Sequence, residues 1–360
     1  MNGTDTQERV RFGHGIVPAR LGSLSFLVST RALSVCAVLI GLCAVVGVVS
    51  LAVGRYPLTI AEVLQALGGG AEGIQRTVVV EWRLPRAAAA LLFGAALGVS
   101  GAIFQSLTRN PLGSPDIIGF ASGSYTGALV VIILIGGGYL QVAAGALVGG
   151  CLTAALVYVL AYRGGVQGFR LIIVGIAVSA MLSALNTWML IRASLEVALS
   201  AAVWGAGTLN GIGWSQMVPA TAVLAVFFIA AAFLARPMRL LELGDDASRA
   251  LGVRTERARL SLVVLGVGFT ATVTAAAGPI SFISLAAPQI ARRLTGSASV
   301  TMGASAVMGA FLLAAADFLA QHGFTLFLGR ETTLPVGVMT VSIGGLYLIW
   351  LIIREARKGV

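Results

Sequence analysis

An all-α polytopic membrane protein is the fold class this sequence predicts, and three observations predict it. Apolar stretches of about 20 residues, long enough for a helix to cross a bilayer, recur along the whole chain. Only 11% of the 360 residues are charged and 58% are hydrophobic, whereas a water-soluble domain carries about 25% charged residues. The arginines are also shared unevenly between alternate connections, as the positive-inside bias of membrane proteins requires. The chain therefore divides into a basic N-terminal tail, residues 1–31, and one transmembrane domain, residues 32–355, interrupted by a polar loop at about 236–257.

Hydropathy places ten spans, at 32–53, 86–107, 117–136, 139–162, 168–191, 215–235, 258–278, 280–293, 301–321 and 336–353. The eighth is short, as the broken helices of transporters often are. An even number puts both termini on one side. With that side in the cytoplasm, the inner connections hold 18 of the 24 basic residues. The outer ones hold six: Arg55, Arg76, Arg83, Arg86, Arg192 and Arg330. This bias accounts for the net charge of +10 without any nucleic-acid partner. Residues 1–30 are polar and basic with no small-residue cleavage site, so no signal peptide is expected there. They read as a disordered tail lying near anionic lipid. Within the spans, Gly94-x-x-x-Gly98 and Gly145-x-x-x-Gly149 place small residues on one helix face for close backbone packing. Cys36, Cys43 and Cys151 lie in apolar runs without metal-ligand spacing and read as packing residues.

The most polar stretch, 236–259, interrupts this hydrocarbon pattern. Asp245 is a good helix N-cap, and Ala247, Ala250 and Leu251 follow at the spacing of one apolar face. Asp246 falls at the positive end of the short helix, Arg249 near its negative end, and Gly252 supplies the left-handed stop after Leu251. A connecting loop has no need to be helical, capped and apolar on one side unless something docks on it.

The remaining chemistry is mostly absence. A phosphate-binding loop closes on Lys and Ser/Thr, and the single lysine is Lys358 at the tail. The histidines are His14, in the tail, and His322, at a span end. Asp317 has no acidic partner within any span, whereas ion-coupled carriers place several ionisable groups in the membrane. Asp317 is then either the coupling carboxyl of a secondary carrier or a hydrogen-bonded group in the bundle. Many spans without a catalytic set describe the passive half of a transporter powered from outside.

Five segments now fall in a recognisable order: Arg83-Leu84-Pro85-Arg86; the run from Gly94 to Pro115; Gly244 to Val253; Gly278-Pro279-Ile280-Ser281-Phe282; and Leu334-Pro335-Val336-Gly337. On these the chain resembles the FecCD-type permeases of ABC importers for iron-siderophores and vitamin B12, over about residues 55–355. The resemblance implies a bacterial inner-membrane protein of ten transmembrane helices with cytoplasmic termini. It also implies two permeases around one pathway, two cytoplasmic ABC ATPase subunits that bind ATP and Mg, and an extracytoplasmic siderophore-binding protein. No cofactor is expected in this chain, and no metal site. The family's coupling helix falls on Gly244, Asp245, Asp246, Ala247, Arg249, Ala250, Leu251 and Gly252, which should enter the ATPase cleft. Arg83 and Arg86 match the arginines that pair with acidic residues of the binding protein, with Arg330 a third candidate. Asn110 to Pro115 matches a cytoplasmic turn, and Asp116 should cap the third helix. Ser281 and Ala287-Pro288-Gln289 depart from the commonest family pattern and lean toward the ferric-enterobactin branch, in which two different permeases pair. Vitamin B12 or haem is the alternative cargo.

Overall fold

The computed structural model describes residues 16–21, 24–162, 168–329 and 332–356. The expectations for Arg330 and for residues 1–15 lie outside the described residues. A two-stranded antiparallel hairpin comes first, β1 (Ile16–Leu21) and β2 (Leu24–Ser29), with Ile16 opposite Ser29 and Leu21 opposite Leu24. It corrects the expectation of a structureless tail over that segment. β-Branched and aromatic residues such as Ile16, Val17, Phe26 and Val28 suit paired strands.

The rest is helical: α1 (Thr30–Ala52), α2 (Ile60–Leu67), α3 (Ile74–Thr108), α4 (Phe120–Ile135), α5 (Tyr139–Ala161), α6 (Gly168–Arg192), α7 (Leu195–Gly205), α8 (Trp214–Leu241), α9 (Asp245–Ala250), α10 (Thr255–Ala277), α11 (Ile283–Thr295), α12 (Met302–Leu328) and α13 (Val336–Ala356). Among the described residues, seven helices are long and apolar enough to cross a membrane: α1, α3, α5, α6, α8, α10 and α12. They coincide with seven of the expected spans. The expected spans at 117–136 and 336–353 correspond to the shorter apolar stretches Phe120–Ile135 and Val336–Tyr347. The short eighth span is α11, buried along Ile283, Ala287 and Ala291. α7 was not anticipated.

The bundle is built around α3. Its Phe93, Leu97, Ile103 and Phe104 are wholly buried, and it packs on α10, α11 and α12. Small residues make this possible. A Cβ on Gly98 would lie 2.1 Å from the Ser305 carbonyl oxygen, and one on Gly101 would lie 1.7 Å from that of Ser284. Backbone therefore meets backbone, the contact that dispersion and small side chains permit inside a bilayer. Gly145 and Gly149 of α5 make the same contact with Gly127 and Gly123 of α4. Both glycine pairs singled out in the sequence are thus helix interfaces. Pro85 lies inside α3 and cannot donate a backbone hydrogen bond; the preceding turn, Thr77–Arg83, is wound as a π-helix.

Candidate functional site

Chemically distinctive side chains collect at the two ends of the bundle, and α3 runs between them. At one end, α8 finishes at Leu241 and the chain turns through Gly244, at φ 106°, into α9. Gly252, at φ 83°, ends the segment in the left-handed region expected for it. The cap differs from the expectation. Gly244 is the N-cap residue, Asp245 is already helical, and no side chain caps the helix. The Asp245 carboxylate instead accepts from Arg109 Nη2 at 3.4 Å and forms a close pair with Arg259 Nη2. Arg109 also donates to the Leu241 carbonyl at 2.8 Å. It occupies the C-cap of α3 with φ 49°. A third anchor is Ser248, fully buried, whose hydroxyl donates to the Leu240 carbonyl at 2.7 Å. One face of α9 is thereby fastened to α3, α8 and α10.

The other face is open. Ala247, Ala250 and Gly252 are exposed, as are Leu243 and Leu251. Asp246 is fully exposed and lies 3.8 Å from Arg249, itself largely exposed. A pair in such surroundings is screened by water and adds little to stability. The apolar stripe read from the sequence therefore points away from the bundle, onto a surface that the described residues leave uncovered.

At the opposite end, Arg86 and Asp317 form a bidentate ion pair, Nε to Oδ2 at 3.0 Å and Nη2 to Oδ1 at 2.7 Å. Gln321 donates to the same carboxylate at 3.2 Å, and Arg86 Nη1 makes a close hydrogen bond to Asn210 Oδ1. The pair is well buried, with side-chain exposures of 15% for Arg86 and 5% for Asp317. Asp317 is thus not a lone carboxyl. Arg83 donates to the Leu51 and Tyr56 carbonyls, both at 2.7 Å, and so satisfies acceptors at and beyond the C-terminus of α1. Both arginines border a cavity of about 640 Å³ shared with Arg55, Trp82, Asp317 and His322. The sequence places Arg83 and Arg86 together, and the structure does so too, but their donors are engaged within the chain.

Asp116 lies in a 3₁₀ turn, Pro115–Ile118, and the N-cap of α4 is Gly119, so Asp116 does not cap that helix. Asp116 is half-buried, and desolvation pushes its carboxyl up to about 7. Sequence reasoning did not single out Arg109, Arg259, Ser248 or Asn210. Among the described residues there is no group of three or more His, Cys, Asp or Glu side chains able to hold a metal ion.

A multi-span helical bundle of this shape, with an anchored surface helix at one end and a buried ion pair at the other, is the scaffold of a membrane permease. The chain matches the FecCD transport family over residues 42–354 and belongs to it. It is 53% identical to the ferric enterobactin transport system permease protein FepG of Escherichia coli K12, over 92% of this chain and 99% of that protein. It is 36% identical to the achromobactin transport system permease protein CbrC of Dickeya dadantii, over 86% and 88% of the two chains. Among solved structures it resembles an inward-facing metal-chelate type ABC transporter, with a TM-score of 0.77, 25% identity, and coverage of 89% of this chain and 99% of that one.

Proposed function

We propose that this chain is a permease subunit of an ATP-driven importer that carries a ferric siderophore of the catecholate, enterobactin-like type across the inner membrane. The observation that carries this reading is the 53% identity to the ferric enterobactin permease over nearly its whole length. ATP and Mg belong to two copies of a separate ATPase subunit. The second permease is a different FecCD-type chain, giving a heterodimer, and a siderophore-binding protein delivers the cargo from outside.

The arginine bias puts the α9 end and both termini in the cytoplasm. α9 then serves as the coupling helix, with Asp246, Ala247, Arg249, Ala250, Leu251 and Gly252 facing the ATPase cleft. Asp245 holds the helix to the bundle through Arg109 and Arg259. Such a handle moves as one body when the ATPase subunits close, whereas an unanchored loop would absorb the stroke. α3 carries the displacement, because its backbone rests directly on α11 and α12 and leaves little room for slip. At the outer end, Arg83 and Arg86 supply the basic wall of the cavity on which the acidic surface of the binding protein docks. An incoming carboxylate competes with Asp317 for Arg86, and so can report docking to α12. A chelated, bulky cargo needs a smooth path rather than iron ligands in the bundle.

The test is uptake of radio-iron as ferric enterobactin, with labelled vitamin B12 alongside, in iron-starved cells lacking the gene. Loss of iron uptake, with B12 uptake intact and rescue by the wild-type chain, is the expected result. Loss of B12 uptake instead would reassign the cargo.

A further inference from the structure

The α9 end carries a second site, on the side of the bundle that faces away from the core. Along α8, Val226, Ile229 and Phe233 are all exposed and follow one another at three- and four-residue steps, a single stripe on the helix. The next residue on that stripe is Arg236. Along α10, Val264 and Leu260 are exposed in the same way, and Arg257 follows one turn on. Two apolar outer faces thus end in arginines at the same level. Between them lies a cleft of about 480 Å³ bordered by Arg236, Arg254 and Arg257.

Among the described residues, no acidic one borders this cleft. The three guanidinium groups make no hydrogen bond or ion pair among the described residues, in contrast to Arg109 and Arg259, which are fastened to Asp245. The same two helices, together with α5, also wall an apolar groove of about 760 Å³, with Phe227, Leu260 and Val264 among its lining residues. Unpaired cations where the apolar stripes of two helices end, on helices long enough to cross a membrane and also lining an apolar groove, are complementary to an amphiphile with an anionic head.

We propose that this is a binding site for an anionic phospholipid, its phosphodiester held by Arg236, Arg254 and Arg257 and an acyl chain lying along the groove. Guanidinium groups match phosphate oxygens in pairs, and basic pockets between transmembrane helices are suited to anionic headgroups. Free inorganic phosphate offers the same head chemistry, but it makes no use of the groove. Leu251, Gly252 and Val253 border the same cleft. A bound headgroup therefore rests against the chain that leaves α9, which places the lipid in the cytoplasmic leaflet on the orientation proposed above.

Native mass spectrometry of the purified full-length chain in detergent tests this, with phosphatidylglycerol and phosphatidylcholine as probes. The wild-type chain is expected to retain phosphatidylglycerol preferentially. Replacing Arg236, Arg254 and Arg257 by Gln should lower that retention about five-fold per arginine. The Arg→Lys triple, with charge kept, should hold most of the preference, and Arg76→Gln at the other end should change nothing. An unchanged melting temperature separates lost binding from lost folding. Equal retention by the wild-type and Gln-triple chains would overturn the proposal. So would displacement of the lipid by millimolar inorganic phosphate, which marks a free-anion site. A Gln triple that keeps the lipid yet no longer co-purifies with an ATPase subunit would assign the arginines to a protein contact instead.

Discussion

Breaking the Arg86–Asp317 pair is the most informative single perturbation. Asp317→Asn keeps the size of the side chain and the acceptor for Gln321, but it removes the charge facing Arg86. The guanidinium then stays 15% exposed, with Asn210 as its remaining strong acceptor. Removing one partner of a buried pair typically costs about 3–5 kcal/mol, because the other charge is left unpaired. The neighbouring cavity gives Arg86 some access to water, so the low end, about 3 kcal/mol, is expected here. Arg86→Gln combined with Asp317→Asn removes both charges and should cost less than Asp317→Asn alone. The two substitutions should therefore couple by at least the cost of Arg86→Gln alone, about 3 kcal/mol, the upper end of the range for residues in contact. Reversible unfolding of the purified chain in mixed detergent micelles, followed by helical circular dichroism, gives the four stabilities of the cycle. Additive single and double variants, within about 0.5 kcal/mol, would refute the reasoning: the pair would then be a contact of no energetic consequence.

Three further outcomes follow from the same structure. Gly98→Leu should prevent accumulation of folded protein, because even a Cβ meets the Ser305 carbonyl at 2.1 Å; Gly41→Ala, with nothing within 4 Å, should accumulate normally in a membrane-fraction blot. Asp246→Arg should leave the melting temperature within about 1 °C of wild type, since a surface change costs little, while abolishing siderophore uptake in complemented cells; retained uptake would remove Asp246 from the coupling surface. Asp116 binds its proton more tightly when folded, at about 7, than at its ordinary value of 3.8. Its contribution to stability is thus greatest below about pH 4, falls as pH rises toward 7 and is flat above. Melting temperatures from pH 5 to 8 should show this slope, and Asp116→Asn should remove it.

Much of the fold was legible because the bilayer imposes a simple rule, that a spanning helix must be long and apolar. Hydropathy alone located the seven long helices, and the spacing of Gly94 with Gly98 and of Gly145 with Gly149 marked real interfaces. α9 was legible too, because Ala247, Ala250 and Leu251 fall at helical spacing and Gly252 stops the helix. Its cap was misread: a carboxylate at the start of a helix can serve the helix or a nearby cation, and the Asp245 carboxylate pairs with Arg109 and Arg259 instead. Arg109 comes from a position 136 residues away in sequence, and hydropathy carries no record of such a pairing. The Arg86–Asp317 pair, 231 residues apart, did leave a trace. The predicted topology sets both residues at the outer ends of their spans, and charges inside a membrane seek a partner. The residues of β1 and β2 carried strand-forming side chains, but the polar composition around them hid the hairpin.

The central claim, ATP-driven passage of a ferric siderophore through this permease, is tested most directly in proteoliposomes. The chain would be reconstituted with a second permease, the ATPase subunit and the binding protein, and radio-iron accumulation measured with ferric enterobactin outside and ATP inside. The account predicts accumulation that requires ATP hydrolysis and disappears with Asp246→Arg in this chain. Accumulation that persists without ATP, driven by an imposed ion gradient, would contradict it.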